Sequence, residues 1–320
     1  MAHIAQTKAR RIDYSILIPV YNSEQSLPLV LEGVREVFSS LPFSYEFVLV
    51  DDGSSDNSWQ VIEQQHSHGD ICAIRFIRNE GHSMALKRAF EFCQGQWVIT
   101  MDDDLQHPPA ELPKLLDATQ ANPDTDVIMG AYGAKRAQLH KSIGARVYQA
   151  VLRSSFSLPT DLRITSFRAI HRRVVDEIVR RDLASPHAGF MILSATDRII
   201  NVDVEHHARQ FGQSGMNLRK SVATLLDGIA LNSTLPLKFI GIGGIVLSML
   251  AMLLGSYYLL AWFTGNIGLS GFTTLVLLLT FFSGVILAAI SIVGLYIMRL
   301  IQQATFSPHY SLRDYLPRED

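Results

Sequence analysis

The chain has 320 residues, of which 48% are hydrophobic, and its 28 Lys and Arg against 30 Asp and Glu leave a formal net charge of −2. Such a length holds one large or two medium domains, and the near-neutral balance argues against general nucleic-acid binding. The charge is unevenly spread: no Asp, Glu, Lys, Arg or His occurs from Phe239 to Met298, which predicts a soluble part followed by a membrane part.

Residues 1–15 contain no apolar run of signal-peptide length, so the domain that follows is expected to stay unexported. Aliphatic and β-branched runs then predict strands, buried on both faces, over 14–20, 45–51, 73–79, 96–102 and 126–131. Between them, segments 23–38, 57–67, 82–93 and 110–121 have helical spacing of apolar positions and polar starts. This alternation predicts a parallel α/β sheet of the nucleotide-binding kind. Beyond residue 131 the pattern loosens into basic helices over 140–156 and 172–181, a strand over 198–206 and an amphipathic helix beside a membrane over 216–232. Cys72 and Cys93, in apolar surroundings, are expected to be reduced packing residues.

Ligands of open parallel sheets sit outside the carboxyl ends of the strands, which directs attention to "PVYNSE", "DDGSSDNS", "RNEGHS" and "DDDLQHPP". Asp102, Asp103 and Asp104 have two readings. One is an acidic turn that caps the helix starting after Pro108 and Pro109. The other is a divalent-metal site, since Mg²⁺ and Mn²⁺ prefer carboxylate oxygens and also bind substrate phosphates. On an extended segment side chains alternate faces, so Asp102, Asp104 and Gln106 would share one face as ligands and Asp103 would point the other way. Asp51 and Asp52 are either turn formers or acceptors for ribose hydroxyls and base N–H groups. Asp56 is expected to cap the next helix. His82 and His107 have surface or hydrogen-bonding roles.

"SILIPVYNSEQSL", "VLVDDGSSDNS", "RNEGHSMAL" and "MDDDLQHPP", in that order and spacing, resemble the nucleotide-sugar-binding half of the inverting, GT-A family 2 glycosyltransferases. Within that family the chain is similar to the polyprenyl-phosphate branch, with its dolichol-phosphate mannose synthases, bactoprenol glucosyltransferases and undecaprenyl-phosphate aminoarabinose transferases. The resemblance implies an α/β fold: a GT-A catalytic domain, Rossmann-like with a mostly parallel sheet, followed by a two-helix transmembrane hairpin. It further implies that Pro19, Tyr21, Asp51, Asp52 and Asp102 hold the donor nucleotide, and that Asp102, Asp104 and Gln106 serve Mg²⁺ or Mn²⁺ and the donor diphosphate. Asp103 stands where the family has a small residue. On the acceptor side, Asp161 matches the family's candidate base before the Phe167–Arg168 pair, with a spacing one or two residues longer. Arg168, Arg209 and Ser214 match phosphate-binding positions, and Gly215 replaces the lysine expected after Ser214. Asp161, Asp104 and Arg168 are thus the catalytic candidates.

An uncharged block of this length has room for two spans of roughly 20 residues, expected over 237–263 and 269–298 with "TGNIG" as the turn. Arg219, Lys220 and Lys238 precede the block and Arg299 follows it, so the positive-inside rule puts both termini in the cytoplasm. The expected organisation is a cytoplasmic GT-A domain over 1–215, an interfacial helix over 216–236, the hairpin over 237–300 and a cytoplasmic tail over 301–320, in a bacterial inner (plasma) membrane. The expected activity is inverting transfer of a sugar from a nucleotide-sugar, a UDP-sugar such as UDP-glucose favoured, to a polyprenyl phosphate such as undecaprenyl phosphate. The alternatives are a catalytically inactive membrane scaffold and a processive polysaccharide synthase. The latter's Gln-x-x-Arg-Trp motif is missing, since Trp occurs only at 59, 97 and 262. The expected partners are donor, lipid acceptor and bilayer, without nucleic acid, and the oligomeric state is open, a homo-oligomer included.

Overall fold

A computed structural model describes residues 12–132, 162–180, 188–205, scattered positions between 242 and 264, 271–305 and 312–318. The chain divides into two compact units, Met1–Asn217 with Ser307–Asp320, and Leu218–Phe306.

In the first unit the strands are β1 (Tyr14–Val20), β2 (Tyr45–Asp51), β3 (Ile71–Phe76), β4 (Trp97–Thr100), β5 (Val127–Tyr132), β6 (Arg168–His171), β7 (Ile199–Val204) and β8 (Leu312–Leu316). They form one sheet in the order β7-β5-β6-β4-β1-β2-β3-β8. β1 is parallel to β2 and β4, β2 to β3 and β5 to β7, whereas β6 runs antiparallel to β4 and β5, and β8 antiparallel to β3. The sheet is therefore mixed but mostly parallel. The described helices are α1 (Leu27–Ser39), α2 (Ser58–His66), α3 (His82–Ala89), α4 (Leu112–Ala121), α5 (Arg172–Arg180) and α6 (Ala188–Ala195).

Alternation along the central strands sorts the core into two layers. Ile16, Ile18, Phe47 and Leu49 pack with Leu31, Val34, Ile62 and Leu115 of α1, α2 and α4. Leu17, Val48 and Val50 pack with Leu86, Val175 and Ile192 of α3, α5 and α6. Each face of the sheet is thus covered by helices, which is why β1 and β2 read as unbroken apolar runs. From β1 the chain winds outward to β2 and β3 and then returns to the other side of β1 as β4. The carboxyl ends of β1 and β4 consequently flank the point where the order reverses, the usual ligand crevice of such sheets.

Several expectations need correction. The strand expected over 73–79 begins at Ile71 and ends at Phe76, because the following loop is drawn into hydrogen bonds with Asp52. The strand expected over 96–102 stops at Thr100. β6 and β8 were not foreseen, and the second gives part of the expected tail a place in the sheet. Cys72 and Cys93 are buried and not joined in a disulfide, as expected. The helices expected over 140–156 and 216–232 lie outside the described residues.

In the second unit a continuous helix, α7, runs from Phe272 to Thr305 over 34 residues, beginning three residues after the expected start of the second span and ending seven beyond its expected end. Counting only the described residues, no helix is long and apolar enough to cross a membrane. The expected first span, 237–263, falls mostly outside them.

Candidate active site

The tip of β4 is a turn. Leu105 has a positive φ of 61°, an uncommon conformation for a residue with a branched side chain, and Asp104 accepts the Gln106 N–H at 3.0 Å. Strand alternation therefore does not govern residues 102–106, and the shared face expected for Asp102, Asp104 and Gln106 is not set by it. Asp103 is turned toward β1: its carboxylate accepts the Tyr21 N–H at 3.2 Å and the Ser23 hydroxyl. It joins the loops across the switch point, and burial pushes its pKa up to about 6.

Asp102 is held from the segment that leads into β6. The Ser166 hydroxyl donates to its Oδ2 at 2.8 Å, and the Ser166 carbonyl accepts the Thr100 hydroxyl at 2.6 Å. His107 Nδ1 lies 3.6 Å from the same oxygen, and His82 Nε2 lies 4.0 Å from Oδ1. His107 is not a surface residue: it is 2% exposed and stacks on Phe167 at 5.1 Å between ring centroids. Desolvation holds the His82 imidazole below its ordinary pKa, with Asp102 opposing and Arg168 reinforcing. Asp104 is buried. Arg168 is buried too; it opens β6 opposite Thr100 and donates to the Thr100 hydroxyl through Nε at 3.2 Å. Two carboxylates and a guanidinium thus meet at one strand tip, supported by Ser166, which the sequence did not single out, and by His107, read from the sequence only as a surface or hydrogen-bonding residue. Their only signal was proximity to the Phe167–Arg168 pair and to the prolines.

The neighbouring tips are laced together. Pro19 sits opposite Val50 on β2, and Tyr21 is exposed at the end of β1. Asn22 donates its N–H to Ser54 Oγ and accepts the Ser55 N–H. Asp56 accepts the Ser58 N–H at 3.0 Å and the Glu24 N–H at 3.1 Å. It serves the start of α2 from one residue before Asn57, which holds the N-cap position without a side-chain cap bond, and binds the β1 loop as well. Asp51 is fully buried; its Oδ1 accepts the Ser54 N–H at 2.8 Å and its Oδ2 lies 3.1 Å from Arg75 Nε. Asp52 is buried, and its two oxygens accept the Glu80 N–H at 2.7 Å and the Gly81 N–H at 2.9 Å. Burial raises its pKa to about 6 against those bonds. Between these loops Gly53 has φ 71°, and a Cβ there would lie 2.8 Å from the backbone of Arg78 and Asn79, an approach that only glycine permits.

Among the described residues no three His, Cys, Asp or Glu side chains form a preformed metal cage. Two carboxylates at one strand tip still suit Mg²⁺ or Mn²⁺, which take one or two protein carboxylates and complete their shell with substrate phosphates and water. Asp161, Arg209 and Ser214 lie outside the described residues.

The glycosyl transferase family 2 profile matches residues 15–179. An undecaprenyl-phosphate 4-deoxy-4-formamido-L-arabinose transferase of Proteus mirabilis is 30% identical over 93% of this chain and 92% of its own. One of the same description from Photorhabdus laumondii is 29% identical over 93% of each. The crystal structure of glucosyl-3-phosphoglycerate synthase from Mycobacterium tuberculosis, in complex with Mn²⁺, uridine diphosphate and glucosyl-3-phosphoglycerate, superposes with a TM-score of 0.50 and 21% identity, covering 69% of this chain and 81% of that one. That likeness speaks for the GT-A fold alone. With its sheet, its acidic strand tip and a profile match over more than half its length, the chain belongs to glycosyl transferase family 2.

Proposed function

We propose that the chain transfers a sugar from a nucleotide-sugar, with a UDP-sugar such as UDP-glucose favoured, to undecaprenyl phosphate, inverting the anomeric carbon. The observation that carries this reading is the pair of acidic clusters at the tips of β2 and β4, on either side of β1, with the buried Arg168 beside the second. The acceptor is supported by the two relatives above, whose similarity extends through nearly their whole length.

In this scheme Asp51 and Asp52 orient the nucleotide beside Pro19 and Tyr21. Asp102, Asp104 and Gln106 would hold Mg²⁺ or Mn²⁺, and the ion would supply Lewis-acid neutralisation of the nucleoside diphosphate leaving group. Asp102 also touches the donor. Arg168, Arg209 and Ser214 grip the acceptor phosphate, a task suited to the arginine fork. A phosphate oxyanion needs little deprotonation, so positioning of the acceptor by Arg168 and Arg209 weighs more than proton removal by Asp161.

We also infer that residues 237–300 form a membrane hairpin of a bacterial inner-membrane enzyme. The sequence carries no Asp, Glu, Lys, Arg or His from Phe239 to Met298. The chain enters residues 218–306 from the first unit and returns to it as β8. A polypeptide that starts and ends in one folded body crosses a bilayer an even number of times, and the flanking Arg219, Lys220, Lys238 and Arg299 favour the cytoplasmic side. The acceptor's long isoprenoid explains the need: each CH₂ taken out of lipid costs about 0.8 kcal/mol.

The test is incubation of the purified protein in detergent with undecaprenyl phosphate, Mg²⁺ and a panel of UDP- and GDP-sugars, with the lipid product identified by mass. The expected product is a glycosyl phospholipid from one donor. No product from any donor overturns the proposal.

A further inference from the structure

The last strand of the chain adjoins the donor side of the sheet. β8 pairs with β3, setting Tyr315 opposite Ile74 and Asp314 opposite Arg75. It is fixed along its length. Tyr315 packs against Phe92 at 5.6 Å between ring centroids, and His66 Nε2 meets the Pro317 carbonyl at 2.7 Å. At the far end Arg318 Nη1 lies 3.9 Å from Oε2 of the fully buried Glu46, whose carboxyl burial pushes above its usual range.

Arg75 is the junction between this strand and the nucleotide side. Its Nε lies 3.1 Å from Asp51 Oδ2 and its Nη1 lies 3.7 Å from Asp314 Oδ2. Nη2 donates to the Ser54 carbonyl at 3.5 Å, and the guanidinium lies over the Trp59 ring at 5.6 Å. One largely buried cation therefore serves a buried carboxylate at the tip of β2 and a half-exposed one on β8 at the same time. The buried pair is the stronger, because water screens it less. The outer carboxylate limits the rotation of a planar guanidinium whose Nε edge faces Asp51 Oδ2.

We propose that Asp314 is a positioning residue for donor binding: through Arg75 it holds Asp51 in the geometry that receives the nucleotide, so that the strand following α7 is part of the donor site. This rests on the reading of Asp51 as a nucleotide-binding group. It makes the returning chain more than an anchor, because a cut before residue 312 removes both a sheet edge and the outer partner of Arg75.

The test uses the full chain in detergent with undecaprenyl phosphate and the donor that supports turnover. Asp314→Asn is expected to raise the donor KM about two- to fivefold, the range of a partly exposed ion pair, with kcat and the acceptor KM unchanged. Asp314→Glu restores the wild-type donor KM. In an Arg75→Gln background Asp314→Asn has no further effect, since the path runs through the guanidinium. An unchanged donor KM in Asp314→Asn overturns the proposal. So does a fall in kcat in proportion to the folded fraction, which would make β8 a structural edge only. Asp51→Asn separates the two readings: if it raises the donor KM while Asp314→Asn does not, the coupling fails and the nucleotide role stands. If neither variant moves the donor KM, the nucleotide role of Asp51 fails as well.

Discussion

Replacing Asp52 by Asn tests the joint between the β2 tip and the loop before α3. Each Asp52 oxygen accepts one backbone N–H, from Glu80 and from Gly81. An amide offers one acceptor oxygen, so one of these N–H groups would face an NH₂ instead, a loss of about 1–3 kcal/mol for a buried donor without a partner. Against this stands relief of a buried charge. The Asp52 carboxyl titrates near 6 in the fold against 3.8 for an ordinary aspartate. A raised pKa means that the folded protein binds more protons than the unfolded chain between these values, so the group's contribution to stability is fully present below 3.8 and is lost as pH rises through 6. The difference is worth about 3 kcal/mol at most. Relative to Asp52→Asn, the wild-type protein should therefore lose up to about 3 kcal/mol of stability as pH rises from 4 to above 7. Urea unfolding of both proteins across that range, in one detergent, measures the loss. The donor KM at neutral pH should rise by about tenfold, equivalent to one lost hydrogen bond that orders the loop. A stability difference that stays flat with pH would refute the argument from burial. An unchanged donor KM would refute the role of Asp52 in shaping the nucleotide side.

Three other outcomes are expected. Asp102→Ala and Asp104→Ala should each lower turnover at least about a hundredfold, the scale of losing a group that stabilises transition-state charge, whereas Asp103→Ala should stay within about fivefold because its carboxylate is spent on Tyr21 and Ser23; lipid-linked sugar formed per minute measures all three. Removal of divalent ions with a chelator should stop turnover, and added Mg²⁺ or Mn²⁺ should restore it, as read by the same assay. Gly53→Ala should lower stability by about 2–5 kcal/mol, from the left-handed φ and from overpacking, which a shift in the urea midpoint would register.

Much of the site was legible because its residues lie at the ends of local apolar runs. Val20, Asp51 and Thr100 end β1, β2 and β4, and a strand buried on both faces announces itself and its polar tip without reference to any partner. The orientation of the acids was not legible in the same way. The turn at Leu105, not strand alternation, aims Asp103 at the β1 loop, and the support of Asp102 comes from Ser166, 64 residues away. His107 reads as a loop histidine until Phe167 is found stacked on it.

The sequence by itself determined the alternating α/β pattern, the strands β1 and β2 to the residue, the acidic tips and the uncharged block, because hydrophobic period and charge are properties of a few consecutive residues. Only the tertiary structure decided that "RAIH" and "LRDYL" are strands, the first wedged between β4 and β5 and the second beside β3. Four or five residues with charges among them carry too little pattern to declare a strand. Their hydrogen-bond partners lie far along the chain, so the path of the whole polypeptide selects the pairing, and with it the arginine that links Asp314 to Asp51.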